Sequence, residues 1–142
     1  MKLNPIASGS STVYFGNEGY TALNSYLKQE NPSKIFILVD SNTLQDCLQI
    51  FLAQIETDIV IETIEIEPGE TFKTIDTCVG VWNALSELNA DRKSVLLNLG
   101  GGVVTDLGGF VASTFKRGIP YINIPTSLLA MVDASVGGKT GV

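Results

Sequence analysis

Three glycines, Gly100, Gly101 and Gly102, stand directly after the apolar run VLLNL and ahead of a stretch with helical patterning, VVTDLGGFVASTFK. A helix that opens on glycines offers free backbone N–H groups and a positive dipole end, and the missing side chains let phosphate oxygens approach closely. The spacing is not G-x-G-x-x-G, because Thr105 holds the third glycine position. A tight strand–helix turn without a ligand would use the same residues. Other polar groups sit at comparable places. Asp40 follows an apolar run, where a carboxylate can accept bonds from a ribose or simply cap a helix. Glu70 and Lys73 border a loop containing Gly69, where a solvated pair is also at home. Thr126 and Ser127 follow Pro125, where hydroxyls can cap a helical stretch or bond a ligand. Asp133 and Lys139 flank Gly137 and Gly138, so a carboxylate and an ammonium can face one small polar cavity. GGKT there resembles the end of a P-loop, but the required glycine at position 133 is Asp133, and that reading fails. Lys116 and Arg117 form a consecutive basic pair, which a helix C-terminus also favours. Asp106 would suit a helix first turn with or without a ligand, and Gly108 and Gly109 suit close helix packing.

Bulk properties narrow the partners. With 44% apolar and 17% charged residues, the 142-residue chain reads as globular, and its length allows one domain with a real core. A net charge of −6 argues against a nucleic acid or an anionic membrane as partner. No run is long enough for a signal peptide or a membrane span, so the cytoplasm is the expected compartment. Cys47 and Cys78 form no C-x-x-C pattern and read as buried thiols. The chain has no histidine, which rules out an imidazole zinc site or a Ser-His-Asp apparatus built from its own residues.

These groups need elements to hold them. Strand patterns occur at 12–15, 34–40, 59–66, 95–99 and 121–124, and helical patterns at 18–28, 43–55, 75–88 and 105–116. Ser41 or Asn42 is the expected cap of the second helix, and Ile75, Val79, Trp82 and Leu85 the buried face of the third. The alternation predicts a doubly wound α/β domain with a mostly parallel sheet. In such sheets ligands bind at the carboxyl ends of the strands. That edge would collect Asp40, Glu70, Lys73, the glycine turn with Asp106, and Thr126.

Taken together, LGGGVVTDLGGFVASTFKRGIPYINIPTSLLAMVDASVGGKTGV resembles the signature region of the 3-dehydroquinate synthase family, with VDSNT and PGETFKT agreeing in order upstream. The resemblance implies a Rossmann-like NAD-binding domain, followed in the family by a helical domain that binds zinc or another divalent metal. It implies that Asp40 and Asn42 contact the adenosine end of NAD, and that Glu70 and Lys73 approach from the next loop. Gly100, Gly101, Gly102, Val103 and Asp106 would cradle the pyrophosphate, with Thr126 and Ser127 near the nicotinamide half. Asp133 would sit between cofactor and substrate, Lys139 would hold the anionic substrate, and Arg117 would reach a substrate phosphate across a homodimer.

The implied reaction is the cyclisation of a small sugar phosphate, 3-deoxy-arabino-heptulosonate 7-phosphate, to 3-dehydroquinate and phosphate in aromatic amino-acid biosynthesis, using NAD catalytically. The family's metal ligands, a glutamate and two histidines, follow its signature region. The expectation is therefore that residues 1–142 form the NAD-binding domain without the metal-binding one, and do not turn over alone. The residues leave two alternatives open: a related cyclase such as 2-deoxy-scyllo-inosose synthase, or a non-catalytic nucleotide-binding module. Dehydrogenases of the glycerol dehydrogenase type usually carry a lysine where Phe110 stands here, which counts against them. Leu128, Leu129, Met131 and Val132 are the candidates for an apolar face toward a second domain.

Overall fold

The computed structural model describes residues 6–8, 11–15, 17–126 and 133–137. Its strands are β1 (Ile6–Ser8), β2 (Ser11–Phe15), β3 (Ile35–Asp40), β4 (Ile61–Ile66), β5 (Val95–Gly100), β6 (Tyr121–Pro125) and β7 (Asp133–Gly137). They form one sheet in the order β1-β2-β7-β6-β5-β3-β4. The four strands β6, β5, β3 and β4 are parallel. β7 runs antiparallel to both β6 and β2, and β2 antiparallel to β1.

The parallel centre follows from composition. β3 is a continuous apolar run up to Asp40 and β5 one interrupted by Asn98, and burial on both faces is the setting that such runs require. Phe36, Leu38 and Leu96 pack with Cys78, Val81 and Leu85 of α4 (Ile75–Glu87) and Val104, Leu107 and Val111 of α5 (Gly102–Thr114). Ile35, Ile37, Val39, Leu97 and Leu99 face the opposite way, onto Leu23 and Leu27 of α1 (Asn17–Glu30) and Leu48 and Phe51 of α3 (Leu48–Gln54). Helices thus cover both faces of a Rossmann-like sheet.

Three local expectations change. The helix expected over 43–55 is two helices, α2 (Ser41–Asp46) and α3, broken at Cys47, whose backbone is non-helical at φ −122°. The break lets Leu48 and Phe51 turn onto the sheet. The cap of α2 is Asp40, not Ser41 or Asn42. Its carboxylate accepts from the Thr43 N–H at 2.9 Å, and the Asp40 N–H donates to the Thr43 hydroxyl at 3.0 Å, a reciprocal capping box. On α4 the buried line is Cys78, Val81 and Leu85, while Ile75 and Val79 are exposed and Trp82 is half-buried. Trp82 is held there by Nε1–H donation to the Thr114 hydroxyl at 3.1 Å. Neither β1 nor β7 is expected from the pattern of residue types, since residues 133–137 lie among glycines and small polar groups.

At the amino edge, Asp91 ties the turn before β5 to the turn before β3. Its Oδ1 accepts from the Ser33 hydroxyl at 2.6 Å and from the Lys93 N–H at 2.9 Å. The bond from Ser33, then that from Lys93, holds the carboxyl below its ordinary value. A folded pKa below the unfolded one gives stability that is complete above about pH 3.9 and is lost as pH falls through the folded value. Acid unfolding of the Asp91→Asn variant should accordingly show a shallower loss of melting temperature below that pH. Parallel acid arms for the two proteins would contradict this assignment.

Candidate functional site

The carboxyl ends of β4, β3, β5 and β6 carry the polar loops onto one edge of the sheet. At its middle, β5 ends at Gly100, Gly101 is the N-cap of α5, and Gly102 is its first residue. Gly100 is obligatory on packing grounds, because a Cβ there would meet the Val104 side chain at 2.7 Å. Gly101 and Gly102 differ, since among the described residues a Cβ on either would meet nothing within 4 Å. Those residues leave the space above them open.

The first turn of α5 contrasts with those of its neighbours. α2 has the Asp40 capping box, and α4 has the Thr74 hydroxyl accepting from the Thr77 N–H, with Asp76 in its first turn. α5 has neither a side-chain cap nor an acidic residue in its first turn. Its positive end and leading N–H groups are left to whatever occupies the open space. Thr105, at the position where the familiar fingerprint has glycine, donates its hydroxyl to the carbonyls of Gly101 and Gly102, both at 3.2 Å, and so braces the turn.

Around this turn the expected residues fall as follows. Asp40 is half-buried at the end of β3 with Oδ1 committed to the cap, and Asn42 is exposed in the first turn of α2. Glu70 is exposed in the single 3-10 turn Glu70–Phe72 after β4. Lys73 ends that turn and reaches Asp106 of α5, Nζ to Oδ2 at 2.9 Å. That bond is the main reason the Lys73 ammonium is held above its ordinary value. Val103 is half-buried in the first turn of α5. Thr126, half-buried past the end of β6, donates its backbone N–H to the Gly100 carbonyl at 3.0 Å. The loop after β4 is therefore tied to α5, and the residue after β6 to the end of β5. β7 enters the sheet against the direction of β6, so Asp133, its first residue, belongs to the same edge, in register with Phe15 of β2. Ser127 and Lys139 lie outside the described residues, as do Leu128, Leu129, Met131 and Val132.

Arg117 is not brought to this site. α5 has 13 residues and carries the chain about 20 Å to the opposite edge before the 3-10 turn Phe115–Arg117. Lys116 and Arg117 both adopt positive φ there, 46° and 70°, a conformation that non-glycine residues rarely take.

Two features were not foreseen. One is an apolar hollow of about 270 Å³ beside the ion pair, lined by Lys73, Asp106, Ile75, Cys78, Leu107 and Phe110. Burial there pushes the Cys78 thiol above its ordinary value. The other is an amide pair beneath the turn, the buried Asn98 of β5 and the half-buried Asn123 of β6, whose one sequence signal is a polar residue inside the apolar run VLLNL. A larger groove, about 530 Å³, lies at the opposite edge between α1 and the loop before β4, and it holds none of the residues just described.

Among the described residues no group of three or more His, Cys, Asp or Glu is placed to hold a metal ion. No helix among them is long and apolar enough to cross a membrane.

Comparison with known proteins agrees with this architecture. The family model for the 3-dehydroquinate synthase N-terminal domain matches residues 63–142. A 3-dehydroquinate synthase of Parabacteroides distasonis is 45% identical over 120 residues, which is 84% of this chain and 34% of that protein. The chain thus spans about a third of the length of such relatives. Among solved structures, 2-deoxy-scyllo-inosose synthase superposes with a TM-score of 0.70 at 25% identity, covering 82% of this chain and 33% of that one. The 2-epi-5-epi-valiolone synthase of Streptomyces hygroscopicus subsp. jinggangensis, solved with NAD+ and Zn2+ bound, gives 0.56 at 27% identity, over 68% and 28% of the two chains. On fold, edge geometry and sequence alike, the chain belongs to the 3-dehydroquinate synthase N-terminal family.

Proposed function

We propose that residues 1–142 are the NAD-binding domain of a 3-dehydroquinate synthase, acting on 3-deoxy-arabino-heptulosonate 7-phosphate. The observation that carries this reading is the uncapped, side-chain-free N-terminus of α5 at the carboxyl edge of the parallel sheet. It fits a pyrophosphate: donors point outward, no carboxylate stands in the first turn, and the described residues leave the volume above Gly101 and Gly102 free. Asp40 and Asn42 would hold the adenosine ribose, with Asp40 serving as cap and contact at once. Lys73, from the loop after β4, and Asp106, from α5, would close over the pyrophosphate, joined by Glu70. Thr126 and Ser127 would meet the nicotinamide half, and Asp133 and Lys139 the substrate. Bound NAD supplies a hydride acceptor that is restored within the cycle.

The residues described do not fit the divalent metal that the resemblance implies, since they contain no suitable ligand cluster and the chain has no histidine. We therefore infer that turnover needs residues beyond these 142, as in relatives about three times as long. The distance of Arg117 from the glycine turn supports a role toward a neighbouring copy in a homodimer.

Calorimetric titration with NAD, alongside phosphate release from the heptulosonate phosphate with NAD and zinc, tests both parts. Binding without phosphate release is expected. No heat at millimolar NAD would overturn the cofactor reading, and turnover by these residues alone would overturn the need for more. The likeness to 2-deoxy-scyllo-inosose synthase favours one competing substrate, glucose 6-phosphate. In a full-length protein carrying this domain, it should not compete with the heptulosonate phosphate.

A further inference from the structure

We propose that Asn98 is a positioning residue that sets the seat of α5, and so the place at which the glycine turn presents its N–H groups. The proposal rests on the NAD-binding reading above and adds a residue to it.

Asn98 is fully buried in an otherwise apolar strand. Its Nδ2 donates to Asn123 Oδ1 at 3.0 Å, across two residues that are direct partners in the β5–β6 register. This bond fixes the plane of the Asn98 amide. Its Oδ1 has no hydrogen-bond partner and is turned toward α5. There it meets Gly108: a Cβ on Gly108 would overlap the Asn98 amide outright. The glycine's Cα–H takes the place of a donor, a weak contact that holds only at close approach.

A buried acceptor without a full donor disfavours the fold, so stability alone would place leucine or alanine here. What the amide provides is a rigid, planar spacer between sheet and helix. Two residues further along β5 lies Gly100, and at the same level of β6 lie Pro125 and then Thr126, joined to the turn by the Thr126–Gly100 bond. Among the described residues the amide pair is thus the side-chain hydrogen bond that joins β5 to β6 below the site. Gly108 lies on α5 less than two turns from Gly102, so a change of spacing at Asn98 is carried to the helix N-terminus with little loss.

Three variants of the whole chain test this by NAD titration and thermal melting: Gly108→Ala, Asn98→Ala, and the two combined. Gly108→Ala lifts the helix and should weaken NAD binding about tenfold. Asn98→Ala removes the spacer and should weaken binding about threefold, while its melting temperature stays within about 3 °C. The combined variant refills the gap with the methyl group introduced on α5 and should recover most of the affinity. A purely structural contact would move melting temperatures and leave the dissociation constants of the folded variants alike, and that result overturns the proposal. Should Gly108→Ala fail to fold, an unchanged constant in Asn98→Ala overturns it equally. Absence of NAD binding by the unaltered chain would instead remove the cofactor reading on which the proposal rests.

Discussion

Replacing Gly101 by aspartate is expected to leave the fold intact and to abolish NAD binding. Gly101 is the N-cap of α5, with an ordinary φ of −83° and, among the described residues, no neighbour within 4 Å of a prospective Cβ. Aspartate is among the preferred N-cap residues, and relative to glycine it should add a few tenths of a kcal/mol. Its carboxylate would accept from the leading N–H groups and neutralise the helix end, as Asp40 does for α2. The same carboxylate then fills the space a pyrophosphate would use and repels its charge. A loss of at least about a hundredfold in affinity follows, or ~2.7 kcal/mol. Melting curves and titration calorimetry together check it. Retained binding in the folded Gly101→Asp protein would mean that the turn is only a strand–helix junction.

Much of the fold was legible because β-branched and leucine-rich runs leave few choices. Residues 34–40 and 95–99 could only be buried strands, and they form the centre of the sheet. What was not legible depends on contacts distant in sequence. Val79 has the spacing of a core residue, yet it is exposed because the line that meets the sheet and α5 runs through Cys78, Val81 and Leu85. β7 could not be read, since a strand of small residues shows itself only through pairing with β2 and β6. The site divides in the same way. The glycine turn was visible from three adjacent letters, and Asp133 joins its edge only because β7 runs antiparallel. Asp40 shows why composition stalls at function: capping α2 and holding a ribose call for the same carboxylate at the same strand end. Gly108 was assigned to packing, and the structure supplies its partner, the Asn98 amide.

Phe36→Ala should have the opposite effect to Gly101→Asp, lowering stability while leaving the chemistry of the site in place. Phe36 has no exposure, lies on β3 between β4 and β5, and packs among side chains from α4 and α5. Truncating such a phenylalanine costs about 3–5 kcal/mol, because the close-packed strands around it cannot collapse into the gap. That is a large part of the about 5–15 kcal/mol that holds a domain together. At a few degrees per kcal/mol, the melting temperature should drop by about 10 °C or more. A drop below about 3 °C would show that the sheet tolerates the cavity, and that the two-faced core does not set stability here. The carboxyl edge lies four residues further along β3, at Asp40, about 13 Å from Phe36. The molecules that remain folded should therefore bind NAD with unchanged affinity. Binding to the folded state alone raises the melting temperature by mass action, so NAD should shift Phe36→Ala upward much as it shifts the unaltered chain. Gly101→Asp, folded at the outset, should show no such shift. One thermal-shift titration across the three proteins thus separates the residues that build the edge from those that use it.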